Sequence, residues 1–397
     1  MKKIISLLLV AVMLVASVCM LSSCGNETVD ADFKIGFIYL HDENSTYDKN
    51  FIDAAVAAKA ALGLTDEQVL FKVNIPETAD CYEAAADLVD QGCDVIFADS
   101  FGHEDFIIQA AKEFPDVTFC HATGTKAHTE NLPNFYNAFA SIYEGRYLVG
   151  VAAGLKINEM IESGKITADQ AKMGYVGAYP YAEVKSGYTS FYLGAKSVCP
   201  SVKMDVKFTN SWFDIAAEKE TANALIADGC VLISQHADSE GAPKACEEAG
   251  IPNVAYNLDT RHWGPNTALV SSKINWQPYF EHIIKATQEG TAIEQDFCKG
   301  LNEGVVQTLG LNDAVAAEGT AAKLEEVKAQ LIAGDIKVFD TNNFTVKGKK
   351  LETYLADVDS DAAFTPDTEV IADGYFHESE KRSAPYFDVD IDGITIK

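Results

Sequence analysis

The chain has 397 residues and carries 31 Lys+Arg against 59 Asp+Glu, a formal charge of −28. Its 48% hydrophobic and 23% charged residues are ordinary globular values, which exclude a disordered or fibrous chain and suit about two domains. An acidic surface of this kind repels phosphates and anionic headgroups, so nucleic acid is excluded as a partner.

Lys2 and Lys3 open the chain, and an apolar run follows from Ile4 to about Leu21. Leu21-Ser22-Ser23-Cys24 then sets a large residue and two small ones before a cysteine, which resembles a bacterial lipoprotein signal. On that reading residues 1–23 are a cleaved signal peptide, Cys24 is lipidated, and residues 24–32 tether the protein to the outer face of a cell membrane. The alternative is an uncleaved transmembrane anchor, because the run slightly exceeds a usual signal core. No later apolar stretch is long enough to span a bilayer.

The chain then repeats itself. Glu83 to Ile96 (EAAADLVDQGCDVI) and Glu220 to Ile233 (ETANALIADGCVLI) share a helix that runs through a Gly stop into an apolar strand. Upstream, Lys34-Ile35-Gly36-Phe37-Ile38 matches Lys172-Met173-Gly174-Tyr175-Val176, and each heads its half with a short apolar strand. Each half thus reads as alternating strands and helices, the pattern of a parallel sheet covered on both faces. The expected fold class is α/β, with two doubly wound lobes of the type I periplasmic-binding-protein kind and a ligand cleft between them. Residues 33–140 plus 275–299 are assigned to one lobe and 141–274 plus 300–345 to the other, with crossings near Ala140, Lys273 and Gly300. An Ala-rich helix from Ala314 to Ile332 is expected in the second lobe. Residues 346–397 form an acidic extension expected to pack on one lobe, with Asp388, Asp390 and Asp392 on a solvated strand face.

Ligands of such sheets sit beyond the carboxyl ends of the strands. The segments that end there are His41 to Asn50, Ser100 to Glu104, His121 to Thr125, Tyr179 to Glu183, Asn210 to Asp214, Gln235 to Ser239 and Asn257 to Arg261. Asn275-Trp276 joins them after a further strand. Rich in aromatic and polar residues, they suit a flat, neutral, hydrogen-bonding ligand. Once Cys19 and Cys24 are set aside, Cys81, Cys93, Cys120, Cys199, Cys230, Cys246 and Cys298 remain. Their odd number and the absence of a C-x-x-C spacing point to buried free thiols, with no metal site.

The order of several segments resembles the basic membrane protein (BMP) family, the substrate-binding lipoproteins of ABC importers. They are Ser100-Phe101-Gly102, Phe114-Pro115-Asp116-Val117, Tyr143-Glu144-Gly145-Arg146-Tyr147, Gly174-Tyr175-Val176-Gly177, Asn210-Ser211-Trp212-Phe213-Asp214 and Asn275-Trp276, and the resemblance runs from Phe33 to Phe339. It implies a receptor that captures a purine nucleoside or purine base and delivers it to ABC permease subunits, with no cofactor. The family's ring-stacking aromatic falls on Trp212 and its ribose-binding carboxylate on Asp259. Asp238 is placed to face purine N–H donors or to cap the following helix. Tyr47 and Phe101 are candidates for the opposite wall, and Glu183 and Asn275 for further contacts. The opening His41-Asp42-Glu43-Asn44-Ser45-Thr46-Tyr47-Asp48 departs from the base-binding branch, which often has Trp where Ser45 stands. That leaves the second stacking partner open, and with it the choice between nucleoside and base.

An enzyme is the first rival reading, but G-x-S-x-G, H-E-x-x-H, G-x-G-x-x-G and P-loop spacings are all absent. The second keeps the fold and changes the ligand or task, to a sugar-binding or signalling receptor. Aromatic stacking with Asp and Asn hydrogen bonds serves a pyranose as well as a purine.

Overall fold

The structure is a computed structural model that describes residues 29–359, 361 and 363–397; the signal segment and Cys24 lie outside the described residues. Short apolar strands alternate with helices from the start. They are β1 (Ile35–Ile38), α1 (Thr46–Leu62), β2 (Val69–Lys72), α2 (Ala79–Asp90), β3 (Val95–Ala98), α3 (Glu104–Glu113), β4 (Thr118–Ala122), the short α4 (Ala127–Glu130) and β5 (Phe135–Ala140). The second half continues with α5 (Ile142–Glu162), β6 (Lys172–Gly177), α6 (Ala182–Val198), β7 (Lys203–Phe208), α7 (Ile215–Ala227), β8 (Leu232–His236), α8 (Gly241–Ala249) and β9 (Asn253–Tyr256). Then come β10 (Ala268–Ile274), α9 (Gln277–Glu289), β11 (Asp296–Lys299), β12 (Val306–Leu309) and α10 (Thr320–Ala333).

Two sheets result. The first has the order β2-β1-β3-β4-β5-β11, and the second β12-β10-β9-β8-β6-β7 followed by a terminal strand at Ile394–Ile396. The internal repeat is visible as register: β1 pairs with β3 through Ile35↔Val95, and β6 with β8 through Met173↔Leu232, both parallel. β1 and β3 are buried along their whole length, as continuous apolar runs require in a sheet covered on both faces. The chain passes between the sheets after β5, after β10 and after β11. There Ser141 N donates to Lys299 O at 3.0 Å and Asn275 N to Val305 O at 2.6 Å.

Helices α5 and α6 lie backbone against backbone. A Cβ built at Gly150 would stand 2.1 Å from Phe191 O, and one at Gly194 would stand 2.1 Å from Tyr147 O. Trp276, which the sequence places near the cleft, is instead 1% exposed in the first lobe's core, 4.5 Å from the Phe51 ring. The Ala-rich helix begins at Thr320 rather than Ala314, because Asn312 Oδ1 accepts from Ala314 N at 3.2 Å and folds the preceding residues into a turn. Six of the seven remaining thiols are buried, and all seven are unpaired.

The C-terminal extension departs most from its sequence reading. It was expected to pack on one lobe, yet it touches both. Its terminal strand extends the second sheet beside β7 (Ile394↔Met204), and Lys185 of α6 pairs with Asp388 at 2.8 Å and Asp390 at 3.2 Å. On the other side Ser383 Oγ donates to Asp296 Oδ1 of β11 at 2.8 Å. Asp388, Asp390 and Asp392 are exposed and alternate with buried Val389 and Ile391, as a solvated strand face requires, and Asp392 accepts from Gly348 N at 2.7 Å. Within the extension Glu378 is 2% exposed and accepts from Tyr386 N at 3.2 Å; burial pushes its carboxyl up to about 8.

That carboxyl fixes a sign. Folded Glu378 holds its proton to higher pH than the unfolded chain, whose value is 4.5, so its contribution is complete below 4.5 and is lost as pH rises through 8. Within that window stability falls by about 1.4 kcal/mol per pH unit from this group. Glu378→Gln, which keeps an acceptor for Tyr386 N, is expected to raise the melting temperature at pH 8.5 and change it little at pH 5. Thermal denaturation across pH 5–9 reads the difference.

Candidate ligand-binding site

The carboxyl ends of the strands in both sheets converge on one cavity of about 350 Å³. The first lobe supplies Leu40, His41, Tyr47 and Asp48 after β1, Ser100 and Phe101 after β3, and Thr123 after β4. The second supplies Glu183 at the start of α6, Trp212 after β7, and His236 and Asp238 at the end of β8. The lobes meet around it. Thr46 N donates to Asp238 O at 2.7 Å, and the Phe101 and Tyr181 rings stand 5.2 Å apart across the gap. A second chamber of about 670 Å³ shares Phe101, Thr123 and Glu183 and is closed by Arg382, Pro385 and Asp388 of the extension.

Buried acids, with the half-buried Glu77, hold these loops in place by accepting backbone N–H groups that the loops cannot pair in a sheet. Asp48 takes His41 N at 2.7 Å and Ser45 Oγ at 2.6 Å, and Ser45 in turn caps α1. Glu77 takes Gly102 N at 2.7 Å, and Glu104 takes Thr125 N at 2.7 Å and Lys126 N at 2.8 Å. Glu218 joins two loops, accepting from Asp214 N at 3.2 Å and Ser239 N at 3.1 Å; burial raises its carboxyl to about 7. Three strand ends also carry left-handed backbone at non-glycine residues, with φ of 65° at Thr123, 57° at Asn210 and 69° at Asn257. A β-branched residue in that region is strained, and such strain collects where loops are shaped around a site.

The cavity pairs flat rings with acceptors. Trp212 is half-buried, 5.1 Å from the Tyr179 ring at 66°. Tyr47 donates its hydroxyl to Asp99 O at 2.8 Å, which fixes its ring against Phe51 at 4.8 Å. Asp238 is 3% exposed and its Oδ1 has no partner. Burial, with the charges of Glu218, Asp48 and Glu183, holds its carboxyl well above the usual carboxylate range. His236 Nε2 stands 3.3 Å from Glu183 Oε1, and burial keeps the imidazole below its ordinary pKa. Among the described residues, no Lys or Arg lines the cavity.

Of the residues singled out from the sequence, Trp212, Asp238, Tyr47, Phe101 and Glu183 line this cavity; Asp259 and Asn275 do not. Asp259 is captured by Arg261, two residues on, whose Nε donates to its two oxygens at 2.9 and 3.0 Å; those bonds hold its carboxyl below the usual range. Asn275 lies in the crossing segment beside Val305. The sequence reading missed Leu40, His41, Asp48, Ser100, Thr123 and His236 as individual residues. All but Leu40 fall inside the strand-end segments that fold class alone singles out.

A family model described as ABC transporter substrate-binding protein, PnrA-like, matches residues 40–341. The chain belongs to this Bmp family. A purine-binding protein of Brucella abortus is 33% identical over 363 residues, covering 87% of this chain and 99% of the relative. A putative ABC transporter glucose-binding protein of Haloferax volcanii is 32% identical over 63% of this chain and 60% of its own length. Among solved structures, an ABC transporter solute-binding protein from Aeropyrum pernix superposes with a TM-score of 0.64 at 17% identity, covering 77% of this chain and 93% of that one. The type I solute-binding fold of the Bmp proteins is therefore this chain's fold.

Glu218 makes a checkable link between core and cavity. Glu218→Ala is expected to cut amide hydrogen-exchange protection at both Asp214 and Ser239 by tenfold or more. Glu218→Gln, with one acceptor left, should expose one of the two. Exchange measured residue by residue on the ligand-free protein decides it.

Proposed function

We propose that the protein is an extracytoplasmic receptor that captures a purine, as free base or nucleoside, and passes it to ABC permease subunits, with no chemistry on the ligand. The observation that carries this reading is the lining of the cavity. A Trp face and two further rings, Tyr47 and Phe101, meet buried acceptors at Asp238 and Glu183 with no cation beside them among the described residues. Stacking on an aromatic side chain contributes about 1–3 kcal/mol per base and needs only a flat face. A protonated Asp238 offers an O–H donor beside a carbonyl acceptor, the complement of a purine edge that sets N–H next to a ring nitrogen. The purine-binding relative, matched over nearly all its length, supports the same class.

The ion pair of Asp259 with Arg261 favours base over nucleoside, since the carboxylate aligned with the family's ribose contact is already occupied. Capture follows from the two-lobed build: ligand bridges the lobes, and hinge motion through the three crossings exchanges open and closed forms. One second reading has an observation behind it. The glucose-binding relative supports a sugar ligand, for which the same rings and acids would serve.

Isothermal titration against adenine, guanine, adenosine, guanosine and glucose separates these readings. Purine binding with adenine or guanine at least as tight as its nucleoside is expected, and binding of sugar alone overturns the proposal. Trp212→Ala should weaken purine binding at least about fivefold, the low end of what a lost stack costs.

Lipid attachment at Cys24 is proposed from the sequence alone. Cys24→Ser should move the protein from the membrane pellet to the soluble fraction, and retention in the pellet would favour an uncleaved anchor.

A further inference from the structure

His236 lines the cavity, yet half of its ring faces away from it, into the core of the second lobe. Its Nε2 stands 3.3 Å from Glu183 Oε1, and a carboxylate oxygen only accepts, so that nitrogen carries the proton. In a neutral imidazole Nδ1 then holds the lone pair and needs a donor. It has none among the described residues, although His236 is 3% exposed.

Three such atoms face one point. The position a Cβ would occupy on Gly187 of α6 lies 3.1 Å from His236 Nδ1, 3.6 Å from Arg146 Nε and 3.6 Å from Tyr175 Oη. All three are buried and without hydrogen-bond partners. Gly187 carries no side chain between them, and a Cβ there would press on His236 Nδ1 more closely than ordinary contact. Arg146, on α5, is 0% exposed, with its guanidinium carbon 3.8 Å from the Tyr256 ring centroid. Its hydrogen bond goes from Nη2 to Gln235 O at 3.2 Å, while Nε and Nη1 are unpaired. A buried guanidinium without a carboxylate partner is costly, and one kept behind a ligand cavity calls for a reason.

We propose that Arg146 is a positioning residue that sets the direction of hydrogen bonding into the ligand cavity. Through one bridging water beside Gly187, shared with Tyr175 Oη, its Nε–H supplies the donor that His236 Nδ1 requires. The imidazole is thereby locked as the Nε2–H tautomer, with its N–H on Glu183 Oε1 and the second Glu183 oxygen left to the ligand as an acceptor. A water fits this node because it can accept from Arg146 and donate to Nδ1, whereas an anion would meet the Nδ1 lone pair. The groups around His236 act in both directions. Burial and the Arg146 charge disfavour its protonation, and Glu183 favours it. Tyr256, whose ring is 4.9 Å away, and Tyr175 are neutral, and Asp238 lies two residues along the chain.

The ligand selected is one that donates at this end, which for a purine is an amino-bearing or protonated ring edge. Only the ligand's name rests on the purine reading; the polarity of the site does not.

Nitrogen-15 spectra of the His236 ring in the ligand-free protein test the relay directly. The native chain should show the Nε2–H tautomer and protonate only below the ordinary histidine range. In Arg146→Gln, loss of the cation with Glu183 still present should bring protonation into that range; in Gly187→Ala, displacement of the water should mix the tautomers. Ring spectra identical to the native chain in both variants overturn the proposal, and Gly187→Ala alone decides it if Arg146→Gln does not fold. Calorimetry adds the functional arm. Arg146→Gln should weaken adenine binding at least tenfold at pH 7.5 and make it pH-dependent, whereas an unchanged affinity and pH profile overturn the proposal while leaving purine binding intact. If adenine, guanine and their nucleosides all fail to bind the native chain, the purine reading falls and the ring spectra still decide the role of Arg146.

Discussion

The cavity depends on one recurring interaction, a buried or half-buried carboxyl group that accepts backbone N–H groups from a strand-end loop. Each parallel strand stops at the cleft, and the residues beyond it have amide groups that no neighbouring strand can take. Asp48, Glu77, Glu104 and Glu218 take them instead, at distances between 2.7 and 3.2 Å. Hydrogen bonds to charged groups contribute about 1.5–3 kcal/mol, and a buried amide left unpaired costs about 1–3 kcal/mol, so each acid fixes a loop far more firmly than side-chain packing alone. Glu218 extends this device from one loop to two, tying the Trp212 loop to the Asp238 loop. The Trp212 ring and the Asp238 carboxyl are therefore held as one unit.

The same acids limit what the net charge means. A formal −28 counts every carboxyl as ionised, yet burial keeps Asp99 and Asp238 well above the carboxylate range and raises Glu378 to about 8. Several of the negative charges counted from the composition are thus structural acids inside the lobes. The outer field that repels phosphates comes from the rest, carried on helix faces and on the extension.

Architecture was legible in the sequence because its signals are local. A buried parallel strand writes itself as an unbroken apolar run, and the repeat from Glu83 and from Glu220 marks equivalent helix–strand units in the two lobes. The strand-end rule then found the segments that line the cavity, since topology alone decides which loops face the cleft. Individual residues were harder. Asp259 and Asp238 both stand just beyond strands in polar company, and Arg261, two residues from Asp259, was in plain view as its partner. What separates them is that Asp238 N is held by Trp212 O at 2.9 Å, a contact between distant segments that no local pattern encodes. Arg146 was quoted within a family motif, yet its burial against Tyr256 and Gln235 is a property of three elements packed together. The extension was misjudged for a similar reason. Its alternating aspartates are solvent-facing as read, but its contact with both lobes is not local: Lys185, the partner of Asp388 and Asp390, lies more than 200 residues upstream.

Charge inside the cavity sharpens what its outer surface only suggests. Among the described residues the lining holds Asp48, Glu183 and Asp238 and no Lys or Arg, and the buried Arg146 lies behind His236 rather than in the lining. An anionic ligand would have to be desolvated against three carboxyl groups, at a cost that its contacts with neutral rings do not offset. A neutral ligand with N–H donors meets acceptors already aligned for it, and the carboxyl groups need no new counter-charge when the lobes close and exclude water. Discrimination against an anionic ligand therefore lies in the first few ångströms of the cavity lining, with the outer acidity acting in the same direction at longer range.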